Sequence, residues 1–123
     1  MLTAKNLMKP AVSIGPRATV SEAAETMKKQ GTGVLVVQSG DRPLGIITDR
    51  DIAVRSTADG LNPNTVPVEA VMTAEIAGCL EDTSADEATS IMAERELHRL
   101  PVFDRESRRV VGILTTSEIP QPS

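Results

Sequence analysis

Two kinds of apolar spacing alternate along this chain. Ala23, Ala24 and Met27, and later Ala88, Ile91 and Met92, recur at helical spacing and predict two helices, each with a buried stripe. Each is preceded by a capping-box pattern, Thr19 with Glu22 and Ser84 with Glu87, and the two helices are predicted to stop near Gly31 and Leu97. Val12-Ser13-Ile14 is a brief apolar alternation ended by Gly15-Pro16, hence a strand and a turn. Continuous apolar runs of strand length follow at 33–37 and 44–48, separated by the turn formers of 39–43, and again at 102–103 and 110–114. A last helix is predicted from Asp49 to about Ser56. Its counterpart after Leu114 stops within about one turn, because Pro120 and Pro122 cannot continue a helix.

These elements come in the same order twice. The segment 20–27 is answered by 85–92 and Leu35-Val36-Val37 by Leu100-Pro101-Val102, at an offset of 65 residues. Gly45-Ile46-Ile47-Thr48-Asp49-Arg50-Asp51-Ile52 is answered by Gly112-Ile113-Leu114-Thr115-Thr116-Ser117-Glu118-Ile119 at an offset of 67. Two similar domains are expected, residues 1–60 and 67–123, joined by a linker at 61–66, the second with a truncated final helix. The fold class is α/β (α+β): a pseudo-two-fold pair of β-α-β-β-α units with their sheets packed on each other and a cleft where the halves meet.

Composition narrows the function. With 13 basic and 17 acidic residues the net charge is −4, and no basic run could neutralise a row of phosphates, so nucleic acid is not expected as a partner. One Phe and no Trp or Tyr leave no platform for stacking bases. Cys79 is the only cysteine; it forbids an internal disulfide and favours a reducing, cytoplasmic setting. No apolar run is long enough for a membrane span. Neither a nucleophile–base pair nor a phosphate-cradling glycine loop stands out, so no enzymatic activity is expected. His98, Asp104 and Cys79 lack metal-ligand spacing, so no metal is expected.

The paired Gly-Ile-Ile-Thr-x-x-Asp and Gly-Ile-Leu-Thr-x-x-Glu blocks resemble those of tandem cystathionine-β-synthase (CBS) domains, the assembly called a Bateman module. The helix starts at Val20 and Ala85 and the His98-Arg99-Leu100-Pro101-Val102 strand add to the resemblance, which covers about Lys5 to Ile119. It implies a regulatory, non-catalytic module that binds an adenosine-containing ligand between its halves. AMP, ADP or ATP, as in energy sensing, stand ahead of S-adenosylmethionine, and the protein itself needs no metal. A homodimer packed through its helices and an effector protein yet to be identified are the implied partners.

Carried over by residue, the resemblance assigns Thr48 and Asp51 to the ribose and His98 and Arg99 to a phosphate, with Ile14 and Pro16 near the base. The chemistry is apt: an ionised carboxylate accepts from vicinal hydroxyls, and guanidinium offers a fork of donors to phosphate oxygens. A weaker second site would use Thr115, Glu118, Gly33 and Val34. There Gly33 and Val34 stand where a cationic pair is needed, and Glu118 is one methylene longer than the expected Asp.

Each residue also has a plain structural role. Thr48 and Asp51 can serve a helix start, and His98 and Arg99 can form surface ion pairs with Glu94 or Glu96. Cys79 reads as a buried structural thiol, and Met8, Met27, Met72 and Met92, at repeat-related positions, as core filler. The alternative to a ligand sensor is a structural dimerisation or protein-interaction module of the same fold that has lost its ligand.

Overall fold

Thr19 and Ser84 start the two long helices. Each side-chain oxygen accepts the backbone N–H three residues on, Glu22 and Glu87, at 3.1 Å. The reciprocal half of the predicted boxes is not made, since neither Glu side chain returns a bond to its cap residue. The computed structural model describes residues 1–74 and 77–119, the side chain of Glu118 excepted. The expected chain end at Pro120 and Pro122 lies outside the described residues.

In chain order the elements are α1 (Ala4–Leu7), β1 (Lys9–Pro10), β2 (Ser13–Ile14), α2 (Val20–Gln30), β3 (Val34–Ser39), β4 (Arg42–Thr48) and α3 (Asp49–Asp51). A π-helical turn (Ile52–Thr57) continues α3, and a 3-10 turn (Val68–Ala70) follows. Then come β5 (Cys79–Leu80), α4 (Ala85–Glu94), β6 (Arg99–Phe103), β7 (Val110–Thr115) and a last 3-10 turn (Thr116–Glu118). The fold class is mixed α/β, as the sequence predicts.

The chain divides into two units, one of residues 12–76 and one of residues 1–11 with 77–123. The first eleven residues therefore pack with the second repeat, and 61–74 pack with the first, so the units are offset from the repeat boundaries read in the sequence. In the 12–76 unit the sheet order is β2-β3-β4; β2 runs parallel to β3, and β4 antiparallel. Its core is Val20, Ala23, Met27, Leu35, Val37, Ile47, Val68 and Val71. In the other unit β1-β7-β6-β5 forms the sheet, around Ala4, Cys79, Ala88, Met92, Leu100, Val102, Leu114 and Ile119.

Two expected core positions differ. Ala24 is exposed, because the inward stripe of α2 runs Val20, Ala23, Met27 and leaves position 24 about 100° round the helix. Ile91 is only half-buried. Met27 and Met92 are buried, while Met8 and Met72 are half-buried against the edge of each core.

One glycine in each unit admits a crossing segment. A Cβ on Gly45 would lie 2.5 Å from the carbonyl oxygen of Thr73, whose backbone pairs with Ile46 through bonds of 2.8 and 3.0 Å. Gly112, its repeat mate, faces the Met8 side chain and, at 3.0 Å, the Lys9 carbonyl, where β1 pairs with β7. The Gly of each Gly-x-x-Thr block is thus a packing requirement, and it fixes the backbone at residues 72–73 beside the end of β4.

Candidate functional site

β4 ends at Thr48, held opposite Val34 in the sheet. There the backbone leaves the extended region and turns into α3. The Thr48 hydroxyl accepts the Asp51 N–H at 3.1 Å, and Asp51 Oδ2 accepts the Thr48 N–H at 3.0 Å, a complete capping box. The capping role open to these two residues is therefore filled. Chemistry remains to spare: the Thr48 hydroxyl still has its proton to donate, and the Asp51 carboxylate has further lone pairs. The Asp51 side chain is 12% exposed, so those lone pairs lie in a partly desolvated place.

Arg55, one turn on, completes this corner. Its Nε lies 3.8 Å from Asp51 Oδ1, and its Nη1 donates to the Met72 carbonyl at 3.0 Å. In the sequence Arg55 does not stand out, and Met72 reads only as core filler. The i, i+4 spacing from Asp51 to Arg55 on a helical segment is the signal that could have found the first; nothing local points to Met72.

The other candidates of this unit sit on its sheet. Ile14 is half-buried at the edge of the core, paired with Val37, and the Pro16 carbonyl accepts the Glu69 N–H at 3.2 Å. The Gly33 carbonyl accepts the Asp49 N–H at 2.9 Å, and Val34 is buried. Gly33 and Val34 therefore border the Thr48 turn of their own unit.

His98, Arg99 and Thr115 belong to the other unit. His98 is exposed, its carbonyl accepting the Thr116 N–H at 3.0 Å, and Arg99 is half-buried opposite Thr115. The Thr115 hydroxyl lies 3.0 Å from the Ser117 hydroxyl and makes no capping bond, so the two repeats treat this threonine differently. The side chain of Glu118 lies outside the described residues. A shallow concavity of about 460 Å³ runs from Thr116 and His98 along α4, floored by Met92, Ala93 and Leu97.

Cys79 lies on β5, paired with Val102. Burial pushes its thiol up to about 11, against a smaller opposing effect from Thr83, so it is protonated at neutral pH. Asp104, in the turn between β6 and β7, accepts the Ser107 N–H at 2.7 Å, which holds its carboxyl below the ordinary range. Among the described residues no three His, Cys, Asp or Glu side chains converge as metal ligands. No helix among them is long and apolar enough to cross a membrane.

Comparison with known proteins adds the family. The CBS domain model matches residues 4–56 and 68–119. An uncharacterised protein of Methanopyrus kandleri is 34% identical over 107 residues, 86% of this chain and 54% of that protein, so the chain spans about half of this relative. The CBS domain-containing protein YhcV of Bacillus subtilis is 34% identical over 120 residues, covering 97% of this chain and 84% of that one.

Solved structures agree. Hypoxic Response Protein I, solved with two coordinated zinc ions, superposes with a TM-score of 0.80 at 33% identity over 97% of both chains. A CBS domain pair in complex with 5′-methylthioadenosine and S-adenosyl-L-methionine gives 0.82 at 30% identity, over 97% of this chain and 93% of that one. A hexameric CBS-CP12 protein from bloom-forming cyanobacteria gives 0.85 at 27% identity, over 96% and 70%. With the same block matched twice in sequence and the paired fold in structure, this chain belongs to the CBS domain family and carries two CBS domains in tandem.

Proposed function

We propose that the chain is a regulatory, non-catalytic module that binds an adenosine-containing ligand, AMP, ADP or ATP ahead of S-adenosylmethionine. Thr48 and Asp51 take the ribose, His98 and Arg99 a phosphate, and Ile14 and Pro16 the base. The observation that carries this reading is the Thr48–Asp51 corner. It fixes a carboxylate acceptor and a hydroxyl donor three residues apart and leaves each with unused hydrogen-bonding capacity. The complex of a related CBS pair with two adenosine derivatives supports the ligand class. About four hydrogen bonds at roughly 1 kcal/mol each, with base burial added, correspond to micromolar to sub-millimolar affinity.

Thr115, Glu118, Gly33 and Val34 form a second candidate set. It offers no cation to a phosphate, so at most it takes an uncharged nucleoside moiety. Ligand binding regulates only by shifting an equilibrium between states, so the module acts through its own assembly, here taken as a homodimer, or through an effector protein.

The test is a thermal-shift panel of AMP, ADP, ATP, adenosine, S-adenosylmethionine and GTP. It is read by far-UV circular dichroism because the chain has no Trp or Tyr. A ligand that binds only the folded state raises the melting temperature with its concentration. An adenine-specific rise upholds the sensor. No rise at millimolar ligand replaces it with an interaction module of the same fold.

A further inference from the structure

The Thr48–Asp51 corner is braced from outside by a side chain to which the proposed function gives no role. Gly45 lets the backbone of residues 72–73 cross close to β4, where Thr73 pairs with Ile46. That crossing presents the Met72 carbonyl, on which Arg55 Nη1 is anchored at 3.0 Å. With the guanidinium held there, its Nε faces Asp51 Oδ1 at 3.8 Å, while Oδ2 is held by the Thr48 N–H at 3.0 Å. Each oxygen of the carboxylate thus has its own partner, a hydrogen bond on Oδ2 and an ion pair at Oδ1. In the sequence the matching position of the second repeat is Pro122, a residue with no side-chain hydrogen-bond donor.

A vicinal diol profits from two acceptor positions in a fixed plane. A carboxylate free to turn about its last torsion accepts one hydroxyl nearly as well as two, whereas a fixed one gains from both. We infer that Arg55 is a positioning residue for Asp51 and that it sets the preference of the site for ribose over 2′-deoxyribose. The inference rests on the ribose role proposed for Asp51. Arg55 is about half exposed, and exposed ion pairs contribute little to stability, so its role lies in aim rather than in holding the fold.

The experiment compares the full-length chain with Arg55→Met and Arg55→Lys. Dissociation constants are measured by calorimetry for AMP and 2′-deoxy-AMP, with ATP and 2′-deoxy-ATP in parallel. Hydrogen exchange at the Thr48 amide, whose partner is the Asp51 side chain, reports the brace without any ligand. The wild type is expected to prefer the ribonucleotide. Arg55→Met should cut that preference roughly five-fold, the scale of a partly lost charge-assisted bond, with the melting temperature nearly unchanged and Thr48 exchange faster. Arg55→Lys should recover part of the preference, since an ammonium makes one contact where the fork makes two.

An unchanged ratio in Arg55→Met, in a wild type that binds and prefers the ribonucleotide, overturns the role of Arg55 and leaves the ligand reading standing. An equal loss for both sugars together with a lowered melting temperature makes Arg55 merely structural and overturns it too. A wild type that binds none of the four nucleotides removes the ribose reading and this inference with it.

Discussion

Gly31 and Glu96 occupy the same place in the two repeats, the left-handed residue just past the end of the long helix, with φ of 66° and 55°. In each case the residue that follows donates its N–H to a methionine carbonyl, Thr32 to Met27 and Leu97 to Met92. Glycine adopts this conformation without steric cost, and a side chain does not. Glu96→Gly is therefore expected to stabilise the chain by about 0.5–1 kcal/mol. The melting temperature should rise by about 3 °C for a domain of this size. Gly31→Ala should destabilise by a similar amount. Urea titrations followed by circular dichroism read both, and a less stable Glu96→Gly protein would show that the Glu96 side chain contributes more than its backbone strain costs.

The two crossing glycines should respond unequally to the same substitution. A methyl group on Gly45 meets a backbone oxygen, that of Thr73, which cannot give way without moving the paired strand. On Gly112 the nearest atoms are Sδ and Cγ of Met8, a flexible side chain that can shift more readily than a backbone, although the Lys9 carbonyl at 3.0 Å leaves little slack. Gly45→Ala is expected to cost about 1–3 kcal/mol, in the range of overpacked cores, and Gly112→Ala less. Equal losses in denaturant unfolding would mean that Met8 is held as rigidly as a backbone.

Much of this architecture was legible because it obeys local rules. The caps at Thr19 and Ser84, the left-handed Gly31 and the apolar strand runs each declare an element within a few residues. What periodicity does not carry is the destination of short segments. Ala4 is fully buried, its N–H bonded to the Thr83 carbonyl at 2.8 Å, so residues 1–11 serve the second repeat across more than 70 positions of sequence. No local pattern encodes that pairing, and α1, β1 and the turn at Val68–Ala70 were not read as elements. The same holds for the candidate site. Thr48 and Asp51 were found through the repeated block and the family resemblance it carries, but Arg55 acquires its meaning from Met72, which only the fold brings near. The π-helical turn that follows Asp51 likewise carries no sequence mark that separates it from an ordinary helix.

Cys79 supplies a pH test. Its thiol is raised from an ordinary 9.0 to about 11 by burial, so between those values the unfolded chain ionises while the folded one keeps its proton. The unfolded state then binds fewer protons, and stability must fall as pH rises through that window. The contribution is fully present below about pH 9 and lost by about pH 11. In Cys79→Ala the decline in melting temperature from pH 8.5 to 10.5 should be shallower than in the wild type. Alkylation at pH 8 should be slow in the native protein and fast in urea. Identical slopes for the two proteins would show that the thiol titrates normally in the fold.

The residues proposed to bind the ligand should separate by chemistry. Asp51→Ala removes a charged acceptor and is expected to weaken binding of AMP by about 1–3 kcal/mol, whereas Glu118→Ala should matter much less if the first set of residues holds the ligand. Asp51→Ala also breaks the box with Thr48, costing about 1 kcal/mol of stability, so affinity must be compared at a temperature where both proteins are fully folded. Arg99→Ala distinguishes the phosphate role. If Arg99 meets the phosphate as proposed, affinity for AMP should fall while affinity for adenosine changes little. The ratio of the two dissociation constants, measured for wild type and variant in one buffer at fixed ionic strength, isolates that effect from any general loosening of β6 opposite Thr115. If both ligands weaken together, Arg99 acts by holding the strand, and the proposed phosphate contact falls to His98.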